Sequence, residues 1–165
     1  MKRLTHFDEK GGSRMVDVSE KEETMREAIA KGKVKMRRET LSMIADKKIA
    51  KGDVYEVARI AGIMAAKRAD SLIPMCHPLM ITGVDISFES SLEKGTISIK
   101  GRVRTIGKTG VEMEALTAVA VASLTIYDMC KAVDRDIIIS DIMLVMKDGG
   151  ESGRYLRDKE CLSSD

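Results

Sequence analysis

The chain has 165 residues, enough for one domain with a substantial core. A third of the residues are charged, yet the net charge is only +2, which speaks against the strong positive field of a nucleic-acid binder. Aromatic residues are scarce, two Phe, three Tyr and no Trp, so no base-stacking platform is expected either.

In chain order, residues 1–14 are polar and glycine-containing and read as a flexible amino-terminal arm. Met15–Val18 suggests a short strand. Ser19 followed three residues later by Glu22 is a capping-box pattern, which predicts a helix to about Lys31 with Gly32 as its stop. Lys33–Arg37 alternates and predicts a strand. Glu39–Lys48 carries Leu41, Ile44 and Ala45 at helical spacing. After Lys51-Gly52, Asp53 can cap a helix running to about Leu72, whose stripe is Val54, Val57, Ala58, Ala61, Met64 and Ala65. Ile73-Pro74-Met75-Cys76-His77-Pro78 holds both prolines of the chain. Each fixes its own φ and restricts the residue before it, so the backbone around His77 is expected to be stiff and extended.

Val84–Glu89 and Thr96–Val103 alternate apolar with polar and predict a β-hairpin joined through residues 90–95. The stretch Gly107 to Asp134 opens on the turn Gly107-Lys108-Thr109-Gly110, then runs without Gly or Pro. It is small and apolar from Ala115 to Ile126 and predicts a buried helix with charged residues at its two ends. Ile137–Ile139 and Ile142–Met146 read as a last strand, bulged at Ser140-Asp141. Residues 148–165 are expected to be a glycine-rich, mobile tail, leaving 15–147 as a single catalytic domain. From Lys33 onward the order β, helices, ββ, helix, β predicts an α+β fold, a ferredoxin-like antiparallel sheet with helices packed on one face.

No apolar run approaches the ~20 residues of a membrane span, and Met1–His6 lacks the apolar segment of a secretory signal. Cys76, Cys130 and Cys161 are odd in number and far apart, so neither a disulfide framework nor a zinc pattern is expected, and a reducing cytoplasm is.

Several residues could carry chemistry. Asp128 and Lys131 share a helix face: either a surface ion pair, or an acid–base pair in a partly buried site where a desolvated lysine works near neutral pH. His77 is framed by prolines, and rigid presentation suits a catalytic or binding side chain as well as a structural one. Cys76 beside it points to the opposite face of an extended backbone, which argues against one metal held by both. His6, the only other histidine, lies in the arm. Glu112 and Glu114 suit the positive end of a helix dipole; in a functional role they would accept hydrogen bonds from the N–H groups of a base. Glu114 and Asp128 are fourteen positions apart, ~21 Å along one helix, so no small substrate touches both in one chain. Either they serve different sites, or a symmetric oligomer brings the start of one helix to the end of another. Lys51, Lys67, Arg68, Lys131 and Lys147 could meet a polyphosphate, and Gly149–Gly153 could wrap an anion although it lacks Walker spacing.

These residues sit in blocks that resemble the cyclic pyranopterin monophosphate synthase family, the C protein of molybdenum cofactor biosynthesis. The blocks are Leu4-Thr5-His6, Met15–Ser19, Lys51-Gly52-Asp53, Ala58–Gly62, Ala65–Arg68, Ile73-Pro74 with Cys76–Met80, and Gly107 to Ala132. The resemblance implies a lyase on a ferredoxin-like fold. It would convert 3′,8-cyclo-7,8-dihydro-GTP, made by a preceding radical enzyme, to cyclic pyranopterin monophosphate with release of pyrophosphate. It further implies a homohexamer, a trimer of dimers, with sites between subunits, and no redox cofactor; Mg²⁺ could accompany the triphosphate, but no carboxylate cluster demands it. Matched position by position, Asp128, Lys51 and Lys131 correspond to the family's catalytic residues, and Met75, Cys76, His77, Met113 and Glu114 to its substrate contacts. Lys67, Arg68 and Lys147 are assigned to the triphosphate. Met75 stands where the family usually has Leu, a volume-conserving change. Asp148 and Glu151 stand where it more often has Ser and Lys, which puts negative charge beside Lys147.

Overall fold

The computed structural model describes residues 11–151 and 153–158. The strands are β1 (Thr24–Lys35), β2 (Ile81–Ser91), β3 (Thr96–Gly107), β4 (Ile138–Asp148) and β5 (Tyr155–Leu156). The helices are α1 (Arg38–Ala45), α2 (Val54–Ala66), α3 (Ala69–Leu72) and α4 (Glu112–Cys130). The strands form one antiparallel sheet in the order β2-β3-β1-β4-β5. Its first four strands have the order of a split β-α-β, so the ferredoxin-like α+β expectation holds.

The largest departure from the sequence reading is β1. The expected helix from Ser19 to Lys31 does not form; Ser19 instead closes a local turn, its N–H and hydroxyl both donating to Asp17 Oδ1 at 2.9 and 2.7 Å. Residues 15–18 are not a strand, and Thr24–Lys35 is one continuous strand at the centre of the sheet, between β3 and β4. Its burial alternates strictly, with Arg26, Ala28, Ala30, Gly32 and Val34 on the covered face. A face built from Ala and Gly shows little hydrophobic alternation, yet it lets a helix lie close against it. That helix is α4, which packs on β1, β3 and β4, with α2 beside it.

α4 is long and apolar enough to cross a membrane by length and composition, but more than half of it is buried against the sheet and α2. Ala115, Ala118, Val119, Ala122 and Ile126 are wholly buried along it. Opposite them lie Val34, Ile97, Ile99 and Val103, at most 1% exposed; burying each such side chain contributes ~1.5–3 kcal/mol. The α2–α4 contact is set by Gly62: a Cβ there would stand 2.8 Å from the Ala118 carbonyl oxygen and 2.4 Å from Ile86 Cδ1. Asp53 caps α2 as expected, accepting from Glu56 N–H at 3.3 Å. The helix ends at Ala66, and a turn at Lys67-Arg68 separates it from α3. The expected stripe is only half right: Val54, Ala58 and Ala65 are buried, but Val57 and Met64 are more than 40% exposed.

The expected bulge in β4 is present, and it is one of a pair. Asp141 has a positive φ of 54°. The β1–β4 register shifts once between Lys31 and Lys33 and again between Ile29 and Ala30. Within the segment expected to be a tail, Tyr155–Leu156 pairs with β4, and Arg157 N–H donates to the Val145 carbonyl at 2.9 Å. His6 and Cys161 lie outside the described residues.

Candidate active site

The functional candidates gather at the two ends of α4. At the carboxy-terminal end, Asp128 sits in the last turn, where a carboxylate opposes the helix dipole and requires cations nearby. Lys131, one turn on, meets Asp128 Oδ1 at 2.7 Å. Lys51 meets Oδ2 at 2.9 Å and donates to the Asp128 backbone carbonyl at 2.8 Å, an acceptor left over where the helix ends. Lys51 arrives on the α1–α2 loop, which has its own ties. Gly52 N–H donates to the Ile49 carbonyl at 3.0 Å, and Lys47 pairs with the capping Asp53 at 2.9 Å.

Hydrogen bonds from Lys131 and then Lys51, with their charges, hold the Asp128 carboxyl down at about 2. The hydrogen bond to Asp128 likewise raises Lys131. Of the two readings open for Asp128 and Lys131, the single chain shows the exposed ion pair and not the partly buried site with a desolvated lysine: the side chains of Lys51, Asp128 and Lys131 are 47–57% exposed. At neutral pH the cluster is a carboxylate clasped by two ammonium groups. Such a group can orient proton donors and neutralise negative charge developing on a ligand.

At the amino-terminal end, three segments meet. Met75, Cys76 and His77 are half-buried in the proline-framed segment, with Cys76 N–H held by the Ile73 carbonyl at 3.0 Å. His77 Nε2 is 2.8 Å from the Val16 carbonyl oxygen; that contact is a hydrogen bond when Nε2 carries the proton. Met113 is half-buried and Glu114 is 4% exposed. Burial pushes the Glu114 carboxyl up to about 7; its own backbone N–H works the other way, and the nearby Glu112 and Asp70 carboxylates add to the rise. Burial also raises the Cys76 thiol, with Glu114 and Asp70 contributing. Glu114 therefore carries a proton part of the time near neutrality, so it can donate as well as accept a hydrogen bond.

At this end lies a pocket of about 250 Å³ whose lining sets the cations Lys21, Arg26, Lys108 and Lys147 among the carboxylates Glu27, Glu112, Asp148 and Glu151. Arg26, on the covered face of β1, is its fixed cation. It donates to the Gly107 carbonyl through Nε at 3.2 Å and to the Lys108 carbonyl through Nη2 at 3.3 Å. Gly150, with a φ of 77° that favours glycine, lets this guanidinium lie where a Cβ would otherwise stand, so any larger residue there would push Arg26 aside. Lys147 pairs with Glu112 at 3.0 Å and Lys21 with Glu151 at 3.6 Å. Lys108 Nζ donates to the Ser19 carbonyl at 2.6 Å, so residues 16–19 bridge His77 and the Gly107–Gly110 turn.

Of the three residues assigned on sequence to a triphosphate, Lys147 alone lines this pocket. Lys67 lines a different groove, with Leu79–Val84 along β2, and Arg68 precedes α3. Sequence reasoning passed over Lys21 and Arg26. The available signal was Arg26 at the inward parity of Ala28, Ala30, Gly32 and Val34, a charged residue on a face that otherwise reads apolar. Among the described residues no three His, Cys, Asp or Glu side chains converge as a metal site would require. The two ends of α4 remain apart, fourteen residues or ~21 Å along the helix.

Comparison with known proteins bears on this arrangement. The sequence profile of the MoaC family matches residues 15–150. Proteins named cyclic pyranopterin monophosphate synthase are similar over nearly the whole chain. That of Heliobacterium modesticaldum is 62% identical over 159 residues, 96% of this chain and 100% of its own. That of Thermoanaerobacter pseudethanolicus is 63% identical over 155 residues, 94% and 98% respectively. That of Clostridium acetobutylicum is 56% identical over 154 residues, 93% and 96%.

Proposed function

This chain belongs to the MoaC family, and from that premise we propose that it is a lyase converting 3′,8-cyclo-7,8-dihydro-GTP to cyclic pyranopterin monophosphate. Pyrophosphate is released, and the step belongs to molybdenum cofactor biosynthesis. The observation that carries the assignment of the chemistry is the clasp of Lys51 and Lys131 on Asp128.

The overall reaction needs two kinds of help. Opening the five-membered ring of the guanine and rebuilding it as a pyranopterin moves protons on and off ring nitrogens and hydroxyls. Closing the cyclic phosphate forms a bond from a sugar hydroxyl oxygen to the α-phosphorus and breaks the bond to the β-phosphate oxygen. The hydroxyl proton leaves to a base and pyrophosphate departs with the bonding electrons. Lys51 and Lys131, held as ammonium groups, serve as proton donors, while Asp128 orients both and accepts hydrogen bonds from the ligand. Glu114 suits the edge of the purine-derived ring, where a carboxyl that both donates and accepts matches neighbouring N–H and C=O groups. Met75, Cys76, His77 and Met113 complete that side. Arg26, Lys21, Lys108 and Lys147 supply the cations a triphosphate needs.

These groups occupy both ends of one helix, so the reading includes a site shared between subunits of a homohexamer, a trimer of dimers. We place the enzyme in the cytoplasm, taking its substrate from a radical enzyme and using no redox cofactor of its own. Mg²⁺ on the triphosphate is compatible with this scheme.

The test is pyrophosphate release from the cyclised nucleotide. Lys51→Ala and Asp128→Asn chains assemble normally and lose turnover; retained turnover in both sinks the assignment. Mixed oligomers of Asp128→Asn with Glu114→Ala chains regain part of the activity when sites are shared between chains. No recovery on mixing refutes the shared site.

A further inference from the structure

The turn that follows α4 contains a carboxylate that the proposed chemistry does not use. Asp134 is 1% exposed, and its side chain is fully covered. It is nevertheless well supplied with donors. Oδ2 accepts the Arg37 backbone N–H at 2.9 Å and the Thr40 hydroxyl at 3.0 Å. Oδ1 accepts the Asp136 N–H at 3.2 Å and lies 3.3 Å from Arg37 Nε. Arg37 Nη2 also donates to the Val133 carbonyl. Burial pushes the Asp134 carboxyl up, but these donors together outweigh it and hold it below its ordinary value.

These partners form a device. Arg37 is the residue before α1, and it offers no side-chain cap of its own. Asp134 is therefore the helix's N-terminal cap, supplied from a distant part of the chain, where a negative charge also suits the dipole. α1 is only eight residues long, too short to hold its direction without tertiary contacts. Its far end leads into the loop that delivers Lys51. Followed round, the contacts close a ring. Asp128 lies on α4, the turn after α4 carries Asp134, Asp134 holds the front of α1, α1 leads to Lys51, and Lys51 returns to Asp128.

We propose that Asp134 is a positioning residue for Lys51: it sets the direction of α1 and thereby the reach of the Lys51 ammonium onto Asp128. The inference rests on the reading of Lys51 as catalytic. Lys131 needs no such help, since it is on the same helix end as Asp128. The two lysines therefore form an internal comparison.

The experiment measures acetylation of each lysine by acetic anhydride, read by mass spectrometry of the assembled protein, alongside turnover. The variants are Asp134→Asn, which keeps the shape and removes the charge, and Thr40→Val, which removes one bond and leaves the carboxylate in place. In both, acetylation of Lys51 rises several-fold, that of Lys131 is unchanged, and kcat falls, by about tenfold or more for Asp134→Asn, as expected for a misplaced catalytic group. A core control in the sheet, Ile99→Val, leaves the Lys51 rate where it was. If Asp134→Asn fails to fold, Thr40→Val gives the same ordering at smaller amplitude. Unchanged Lys51 labelling, or an equal rise at Lys51, Lys131 and in the control, overturns the proposal. Raised Lys51 labelling with unaltered kcat upholds the tether and overturns instead the catalytic reading on which it rests.

Discussion

Replacing Glu114 by Gln tests the buried carboxyl at the front of α4 without reference to turnover. The folded protein holds this group at about 7, against an ordinary value of 4.5, chiefly through burial. At about 1.4 kcal/mol per pH unit the shift corresponds to roughly 3 kcal/mol. Because the value is raised, the folded state binds the proton more tightly than the unfolded state does. The stability contribution is therefore complete below 4.5 and is lost as pH rises through about 7. Between about pH 5 and pH 8 the loss amounts to roughly 2–3 kcal/mol. Gln is uncharged throughout and has no such slope. Urea unfolding of both proteins at the two pH values gives a double difference in which all other titrating groups cancel. The wild-type protein should lose roughly 2–3 kcal/mol more than Glu114→Gln. A double difference below about 0.5 kcal/mol would show that Glu114 is solvated or paired, and the account of its environment would be refuted.

Two further changes probe packing and charge. Gly62→Ala puts a methyl against the Ala118 carbonyl, which sits in a helix backbone and cannot move alone. Overpacking of ~1–3 kcal/mol exceeds the ~1 kcal/mol gained in helix propensity, so Tm falls by a few degrees in a thermal melt; a raised Tm contradicts the close α2–α4 approach. Glu151→Lys breaks an exposed ion pair worth ~0–1 kcal/mol, so stability barely changes. It also replaces one of the four carboxylates that line the pocket with a cation, so KM for the triphosphate substrate drops at low salt and the gain fades at high salt. An unchanged KM at low salt removes Glu151 from the substrate's path.

The β2–β3 hairpin, the buried helix α4, the cap at Asp53 and the bulge at Asp141 were legible in the sequence because each has a local signature. β1 was not. Its covered face is Arg26, Ala28, Ala30, Gly32 and Val34, where size matters more than hydrophobicity, and Ser19 with Glu22 imitated a helix start. What decides that segment is the close fit of α4, a tertiary demand that periodicity does not carry. The exposure of Val57 and Met64 was hidden for a related reason: apolar spacing identifies a helix face but not whether the same chain covers it. Of the candidate site, the pairing of Asp128 with Lys131 followed from helical spacing, whereas the approach of Lys51 from 77 residues away did not. Arg26 was missed together with β1, since its role depends on which way the strand faces.

The paired irregularities of β4 keep it in phase with its neighbour. From Val34 to Ala28 the central strand advances six residues, while its partner advances eight, from Ile139 to Lys147. Each surplus residue is taken up in a bulge, so the side chains beyond it keep the face of their cross-strand partners. Lys147, opposite Ala28, thus emerges on the helix side, where it reaches Glu112. A residue removed together with its bulge would leave that pairing as it is. An extra residue that no bulge absorbs would slip the register by one and turn Lys147 to the opposite face, out of the pocket. What this strand must conserve is its pairing with Ala28 and not its length.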